Sequence, residues 1–500
     1  MAPRFLTTKT QISGYRMLVR RIEQAFIRRD VRLLSSPFTA QATAYSLGAG
    51  AGALILLAGL VMSFIKPAPA RGEAVILATQ SGGRYVLHND TLHPVMNLAS
   101  ARLITGKPDS VRTVKEAELS EHPRGLLMGI PGAPDEMLPR TDDISRWAVC
   151  SQYDPASELE LTPQTATRTL LVAGGEEVTP GRTPLSDNEA LIVRESDGRT
   201  ERLWLLAGGF RSELNPSDAA LLAALQVARG ELEQAVPAST AFLDTVPVRE
   251  AIRAPQLLRQ GQRSTAVPAY EVGAVLSSAG LDGDSTYLVV DTGLQPIGAF
   301  AAQVLLNSGA ELVSDVAPAQ IASAPVVTAA DMEHWPATRP TLLQRNTVCI
   351  DWTRSGEAPA QAELLALDSV PLASEARSKV VALLPARDQT PQVDYFYTAP
   401  GRGWLVQVTG QSDDSPAREQ LWWVGDNGVR FAVTGDSGTS PAETVAMLGL
   451  SAQEPHLVPW SVLRLLPEGP SLSPKSASVV HEQIPVEMAQ NPVPQQGDLK

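Results

Sequence analysis

The stretch AYSLGAGAGALILLAGLVMSFI, Ala44 to Ile65, decides how the rest of the chain is read. It is apolar and uncharged, and as a helix its 22 residues would reach about 33 Å, enough to cross a bilayer core. On its N-terminal side lies a head, residues 1–43, with eight basic residues (Arg4, Lys9, Arg16, Arg20, Arg21, Arg28, Arg29, Arg32) against Glu23 and Asp30. On its C-terminal side only Lys66 and Arg71 precede Glu73. The positive-inside rule therefore places the head in the cytoplasm and the bulk of the chain outside. A cleaved signal peptide fits less well: the head is too long for an n-region and the apolar run too long for an h-region, although Ala68-Pro69-Ala70 resembles a cleavage site.

The whole chain carries −13 and the head +6, so everything beyond the head carries −19. An acidic exterior argues against nucleic acid as a partner and against docking on anionic lipid. A hydrophobic content of 44% is ample for cores, while 37 Gly and 39 Pro favour turns and linkers over long helices. Cys150 and Cys349 are the two cysteines. Outside the cell a bridge between them is the favoured reading, closing a loop of about 200 residues, with two separate buried thiols as the alternative. No CxxC motif or Cys/His cluster suggests a metal.

Within the head, Thr10 to Val31 has helical periodicity. Ile12, Tyr15, Leu18, Val19, Ile22 and Phe26 form an apolar stripe, with Arg16, Arg20, Arg21, Arg28 and Arg29 mostly elsewhere on the wheel. Such a helix lies on lipid or docks on a partner's cytoplasmic domain. Gly48 and Gly52 make a GxxxG pair that would let another helix approach the span.

Beyond the span a strand pair followed by a small helix recurs. Leu92-His93-Pro94-Val95 with Leu98 to Ile104 parallels Leu294-Gln295-Pro296-Ile297 with Ala301 to Leu306. Weaker copies run from Arg202 through Gly208-Gly209 to Leu225, and from Gln420 through Gly428 to Leu448. Four repeats follow, at 74–121, 190–247, 271–322 and 402–475. The stretches 123–175 and 330–400 between them hold the cysteines and, if bridged, form one central domain from discontinuous chain. Residues 484–500 are Pro/Gln-rich and expected to be disordered. The fold class expected is α+β: one transmembrane helix (44–65), then an elongated extracytoplasmic region of four strand–helix repeats around a disulfide-bearing, β-rich central domain.

These residues also carry a resemblance. Thr7-Thr8-Lys9, Gln11-Ile12-Ser13-Gly14-Tyr15-Arg16, Leu92-His93-Pro94-Val95, Ser100-Ala101-Arg102-Leu103, Gly129-Ile130-Pro131-Gly132-Ala133-Pro134, the two cysteines, Pro459-Trp460 and Arg464-Leu465-Leu466-Pro467-Glu468-Gly469-Pro470 occur in this order. Together they resemble the EccB family, the single-pass membrane component of type VII (ESX) secretion systems, with the closest fit to the ESX-1-like branch. The resemblance implies inner-membrane residence with a periplasmic bulk, self-association, and assembly with an EccC-like ATPase and EccD-like and EccE-like components. It makes contact with peptidoglycan conceivable. Members of the family are also described as ATPases.

The residues themselves supply no catalytic centre. No GxxxxGK[ST] is present, and Gly106-Lys107 lacks the upstream glycine a phosphate cradle needs, so ATP is a cofactor without a motif. Gly435-Asp436-Ser437-Gly438 matches a serine-protease nucleophile turn, but it sits where a repeat passes from strand to helix and His88, His93, His122 and His334 lack the usual surround. His93 and Gln295 occupy the same motif position, and a polar residue capping a turn accounts for both. Trp422-Trp423 should point to opposite faces of a strand, one into a core and the other free as an interface anchor or sugar platform.

Overall fold

The computed structural model describes residues 8–30, 37–65, 75–154, 167–174, 184–196, 201–280, 283–385 and 390–482. The tail from Ile484 and the flank Lys66-Pro67 of the expected span lie outside them.

The N-terminal unit contains two helices. Helix α1 (Lys9–Arg28) begins at a reciprocal cap: the Gln11 amide donates to Thr8 Oγ1 at 3.4 Å, and the Thr8 amide donates to Gln11 Oε1 at 2.9 Å. Helix α2 (Pro37–Ile65) carries no charged residue. Its side chains are described from Ala42 to Ala58 and at Val61. Among the described residues no helix is long and apolar enough to cross a membrane, so the span expected at 44–65 rests on the sequence.

The second unit is a mixed α+β body. It opens with the meander β1 (Ile76–Thr79), β2 (Arg84–His88) and β3 (Thr91–Pro94), followed by α3 (Leu98–Thr105) and short strands β4 (Arg112–Val114) and β5 (Leu127–Met128). Asn97 starts α3 by accepting the Ser100 amide at 2.9 Å, and Gly106 ends it at φ 71°, a left-handed position that suits glycine. Strands β6 (Ile144–Tyr153) and β7 (Thr167–Ala173) come next.

A second meander consists of β8 (Glu189–Ser196), β9 (Glu201–Ala207) and β10 (Phe210–Leu214), then α4 (Ala219–Leu225), α5 (Arg229–Leu232), β11 (Val236–Ala238) and β12 (Val248–Arg249). A third has β13 (Val275–Gly280), β14 (Gly283–Val290), β15 (Gly293–Ile297), α6 (Ala299–Asn307) and β16 (Leu312–Val313). Strand β17 (Thr341–Leu343) joins the second sheet beside β8. After β18 (Thr347–Ser355), β19 (Gln361–Leu367), β20 (Val381–Ala382) and β21 (Tyr395–Tyr397), a fourth meander follows. It comprises β22 (Trp404–Thr409), β23 (Leu421–Val424), β24 (Arg430–Val433), α7 (Pro441–Met447), β25 (His456–Pro459), α8 (Trp460–Leu463) and, last, β26 (Val480–His481).

The second, third and fourth modules place a further strand parallel to their first: β11 on β8, β16 on β13 and β25 on β22. All four also share a feature the sequence reading passed over. A proline carbonyl on the returning chain accepts a third-strand amide: Pro123 from Leu92, Pro247 from Arg211, Pro325 from Leu294 and Pro467 from Arg430, at 2.8–3.0 Å. Proline suits such an edge because it has no amide to leave unpaired.

The central sheet runs β19-β18-β6-β7-β21-β20 and so draws on residues 144–173 and 347–397. Both its faces are covered. Trp147, Val149 and Ile350 enter one core with Trp404 and Phe242; Ala148, Cys150 and Cys349 enter another with Leu365 and Val370. The adjacent apolar residues Trp147-Ala148-Val149-Cys150 of β6 and Val348-Cys349-Ile350 of β18 serve both faces at once. The modules pair through their helices. Ala99 and Leu103 of the first share a core with Val445 and Leu448 of the fourth, and Leu221 and Leu225 of the second with Phe300 and Val304 of the third.

Candidate functional site

The features that stand out among the described residues are one covalent staple, the joints between modules and an exposed helix face. The staple is the disulfide Cys150–Cys349. The two residues face each other directly in the antiparallel register of β6 and β18, with Cα atoms 4.0 Å apart, and both are fully buried. Of the two readings of the cysteines, the bridge is the one the structure holds, and it ties the two chain segments of the central sheet.

The joints are built from arginines. Asp244, just past the second module's main strands, accepts Arg464 Nη2 of the fourth module at 2.8 Å and lies 3.5 Å from Arg211 Nη2. Arg211 also stacks over Trp204, whose indole N–H donates to the buried Glu195 at 2.7 Å. At a second joint the Arg140 amide donates to Gly403 O at 2.9 Å, and its guanidinium pairs with Asp142 over the ring of Trp404. His456 meets that Trp404 edge-on at 4.9 Å. Burial is the main influence on His456 and pulls its pKa below the ordinary histidine value, against the neighbouring Asp142, which pulls it upward. Asp142 itself is held below the usual carboxylate range by its hydrogen bond from Arg140.

Several sequence expectations are corrected here. His93 and Gln295 do not cap their own turns. His93 Nδ1 lies 3.0 Å from Leu126 O, and Gln295 donates to Ala330 O at 2.6 Å while accepting the Ala329 and Ala330 amides. Each reaches from the third strand to pin the chain returning beside it. Trp422 and Trp423 do point to opposite faces of β23, but neither is a surface anchor. Trp422 belongs to the core shared with the central sheet and Trp423 to the one shared with the first module, because this sheet is covered on both sides. The exposed tryptophan is Trp460, 43% accessible, against which Arg430 is stacked at 4.9 Å while facing Trp422 at 4.5 Å.

Gly106-Lys107 is the C-terminal end of α3, where main-chain carbonyls face outward, the wrong polarity for phosphate. Gly435 to Gly438 belongs to a tight turn in which Asp436 and Thr439 exchange main-chain hydrogen bonds, and Asp436 Oδ2 accepts the Lys475 amide at 2.9 Å. Each local arrangement accounts for its motif by geometry alone. Among the described residues no group of His, Cys, Asp and Glu is arranged to hold a metal ion.

The α1 stripe is open: Tyr15, Leu18, Ile22 and Phe26 are exposed, Phe26 at 83%, and Val19 is half-buried. Arg20 and Arg21 are exposed as well. Gly48 and Gly52 have nothing within 4 Å of where a Cβ would sit.

A meander body with a cross-strand disulfide, preceded by an exposed amphipathic helix and an uncharged one, fits the class of membrane-complex subunits. The model of the family "Type VII secretion system ESX-1, transport TM domain B" matches residues 4–486, and the chain belongs to this EccB family. It is 34% identical to the ESX-5 secretion system ATPase EccB5 of Mycobacterium tuberculosis over 97% of this chain and 95% of that protein. To the ESX-3 secretion system ATPase EccB3 of Mycolicibacterium smegmatis it is 33% identical, over 96% and 92%. Among solved structures, a chain of an intact ESX-5 inner membrane complex superposes with TM-score 0.73 at 31% identity, covering 99% of both chains. A chain of the EccB3 dimer from the ESX-3 core complex gives 0.69 at 30% identity, over 81% of this chain and 100% of that one. Relatives from ESX-5, ESX-3 and ESX-2 systems are matched at 31–34% identity, and the assignment is to the family as a whole.

Proposed function

We propose that the chain is a structural and transport subunit of an ESX inner-membrane core complex, building part of its periplasmic assembly. The observation that carries this is the match along 99% of the chain to a subunit of an intact ESX-5 inner membrane complex. In this reading α1 lies in the cytoplasm, residues 44–65 cross the membrane once, and the body from 74 onward is periplasmic. The composition of α2 and the +6 head support that orientation.

The four meanders are read as repeats of one unit, near 74–121, 190–247, 271–322 and 402–475, around a central domain drawn from 123–175 and 330–400. Their common third-strand clasp on a proline carbonyl supports a common origin. The chain self-associates and meets an EccC-like ATPase with EccD-like and EccE-like components. The docking residues on the cytoplasmic side are Tyr15, Leu18, Val19, Ile22 and Phe26, with Arg20 and Arg21 beside them, and Gly48 and Gly52 pack against another membrane helix. The word ATPase in the relatives' names belongs to those proteins; among the described residues no side-chain arrangement favours nucleotide hydrolysis or wall binding.

The test is a pair of substitutions, Ile22→Asp with Phe26→Asp, in the tagged full chain. Loss of the co-purifying EccC-like ATPase with the body's melting temperature unchanged supports docking through α1. Full recovery of that ATPase refutes it.

A further inference from the structure

A polar cavity of about 790 Å³ opens at the joint of the central sheet and the fourth module, between the start of β6, the end of β18 and the chain entering β25. Ser145 holds these elements together: its Oγ on β6 donates to Leu457 O on β25 at 2.8 Å and accepts the Trp147 indole N–H at 2.9 Å. Ile350, Trp352 and Arg354 alternate along β18 and so share one face. Ile350 and Trp352 enter the core with Trp404, and Arg354 carries that face to the cavity wall while remaining only 6% exposed. A guanidinium buried this deeply ordinarily has a carboxylate partner. Arg354 has none within ion-pair distance among the described residues: its Nη1 reaches Ser415 O at 3.4 Å, and its buried Nε has no hydrogen-bond partner. Glu357 feels the Arg354 charge but is engaged elsewhere, since its hydrogen bond from Arg418 is the main cause of its pKa lying below the ordinary glutamate value.

The other charged groups on the wall sort by partner. Asp142 is paired with Arg140, and Glu357 with Arg418. His456 has its pKa lowered by burial and is neutral at pH 7. Asp143 and Glu454 are exposed, and neither has a hydrogen-bond or ion-pair partner among the described residues. The unpaired charges are therefore one buried cation and two exposed carboxylates, in a cavity whose volume falls within the range of small-molecule sites. We propose that this cavity binds a basic α-amino acid, a ligand with one carboxylate and two ammonium groups. The carboxylate would take the donors of Arg354 that lack a protein partner, where a guanidinium fork suits a planar oxyanion, and the ammonium groups would face Asp143 and Glu454. A simple anion is repelled by the two carboxylates, and a simple amine leaves Arg354 without its counter-ion.

The test uses the full chain in nanodiscs of neutral lipid, with empty discs subtracted, and calorimetric titration with lysine, norleucine, 1,5-diaminopentane and acetate. Saturable binding of lysine is expected. Norleucine, which lacks the second ammonium, and diaminopentane, which lacks the carboxylate, should each be weaker by about tenfold or more, and acetate weaker still. The double variant Asp143→Asn with Glu454→Gln, both exposed positions, should bring lysine to within about threefold of norleucine. Arg354→Gln should bring lysine down to the level of diaminopentane while leaving diaminopentane unchanged, a pattern that general damage to the fold does not produce. Should Arg354→Gln fold poorly, the exposed pair decides. Absence of saturable lysine binding, equal binding of norleucine or diaminopentane, or an unchanged preference for lysine in the double variant would each overturn the proposal.

Discussion

Replacing both cysteines with alanine, Cys150→Ala with Cys349→Ala, removes the only covalent tie between chain segments 199 residues apart. Cross-linking a loop of that length lowers the entropy of the unfolded chain by an amount worth about 5 kcal/mol, with natural bridges typically giving about 2–5. Both side chains are fully buried among Leu170, Leu365 and Val370, so the lost sulfur contacts add a small packing cost. The central sheet should bear the loss, because β6 and β18 meet at its middle and have no local loop to reunite them. The assay is chemical denaturation of the full chain, oxidised wild type against the double variant, followed by tryptophan fluorescence; Trp147 and Trp352 face each other across the same strand pair. A stabilisation of about 2 kcal/mol or more in the oxidised protein is expected, with early proteolysis of the variant between the central strands. A difference below about 1 kcal/mol would refute the view that the bridge holds the two halves of this sheet together.

Two further outcomes follow from the joints and a third from a proline clasp. Asp244→Asn leaves Arg211 and Arg464 without their shared carboxylate and should cost about 1–3 kcal/mol, and a double-mutant cycle with Arg464→Gln should show strong coupling. His456 has a folded pKa depressed by burial, so its contribution to stability is present above its unfolded value and is lost as pH falls through the lower folded value; stability should decline on the acid side of neutral, and His456→Gln should flatten that part of the pH profile. In the third module, a Cβ at Gly293 would sit 2.3 Å from Pro325 O, so Gly293→Ala should break the Leu294 clasp, cost about 2–3 kcal/mol and speed exchange of the Leu294 amide.

Much of the architecture was legible in the chain. The periodicity read over Thr10 to Val31 marked a helix that runs Lys9–Arg28, and the repeated Leu-x-Pro motifs fall on β3 and β15. The sequence favoured bridging of the cysteines over separate thiols without being able to place them opposite each other; that depends on a register set by strands nearly 200 residues apart. What stayed hidden is long-range in the same way. Trp423 could be placed on one face of a strand, but not the module that covers that face. His93 and Gln295 were recognisable as polar residues in equivalent positions, yet their partners lie more than 30 residues downstream. Pro123 and Pro325 each lie 31 residues beyond the amide they accept, but Pro247 lies 36 and Pro467 37 beyond theirs, so no one spacing finds all four.

The central claim, that this chain is a subunit of an ESX membrane complex, is met most directly by native isolation. Tagging the C-terminus, solubilising membranes gently and sizing the product on a native gel should give a megadalton-scale species containing EccC-like, EccD-like and EccE-like partners by mass spectrometry. A lone monomer or dimer, recovered without those partners across several mild detergents, would contradict the claim.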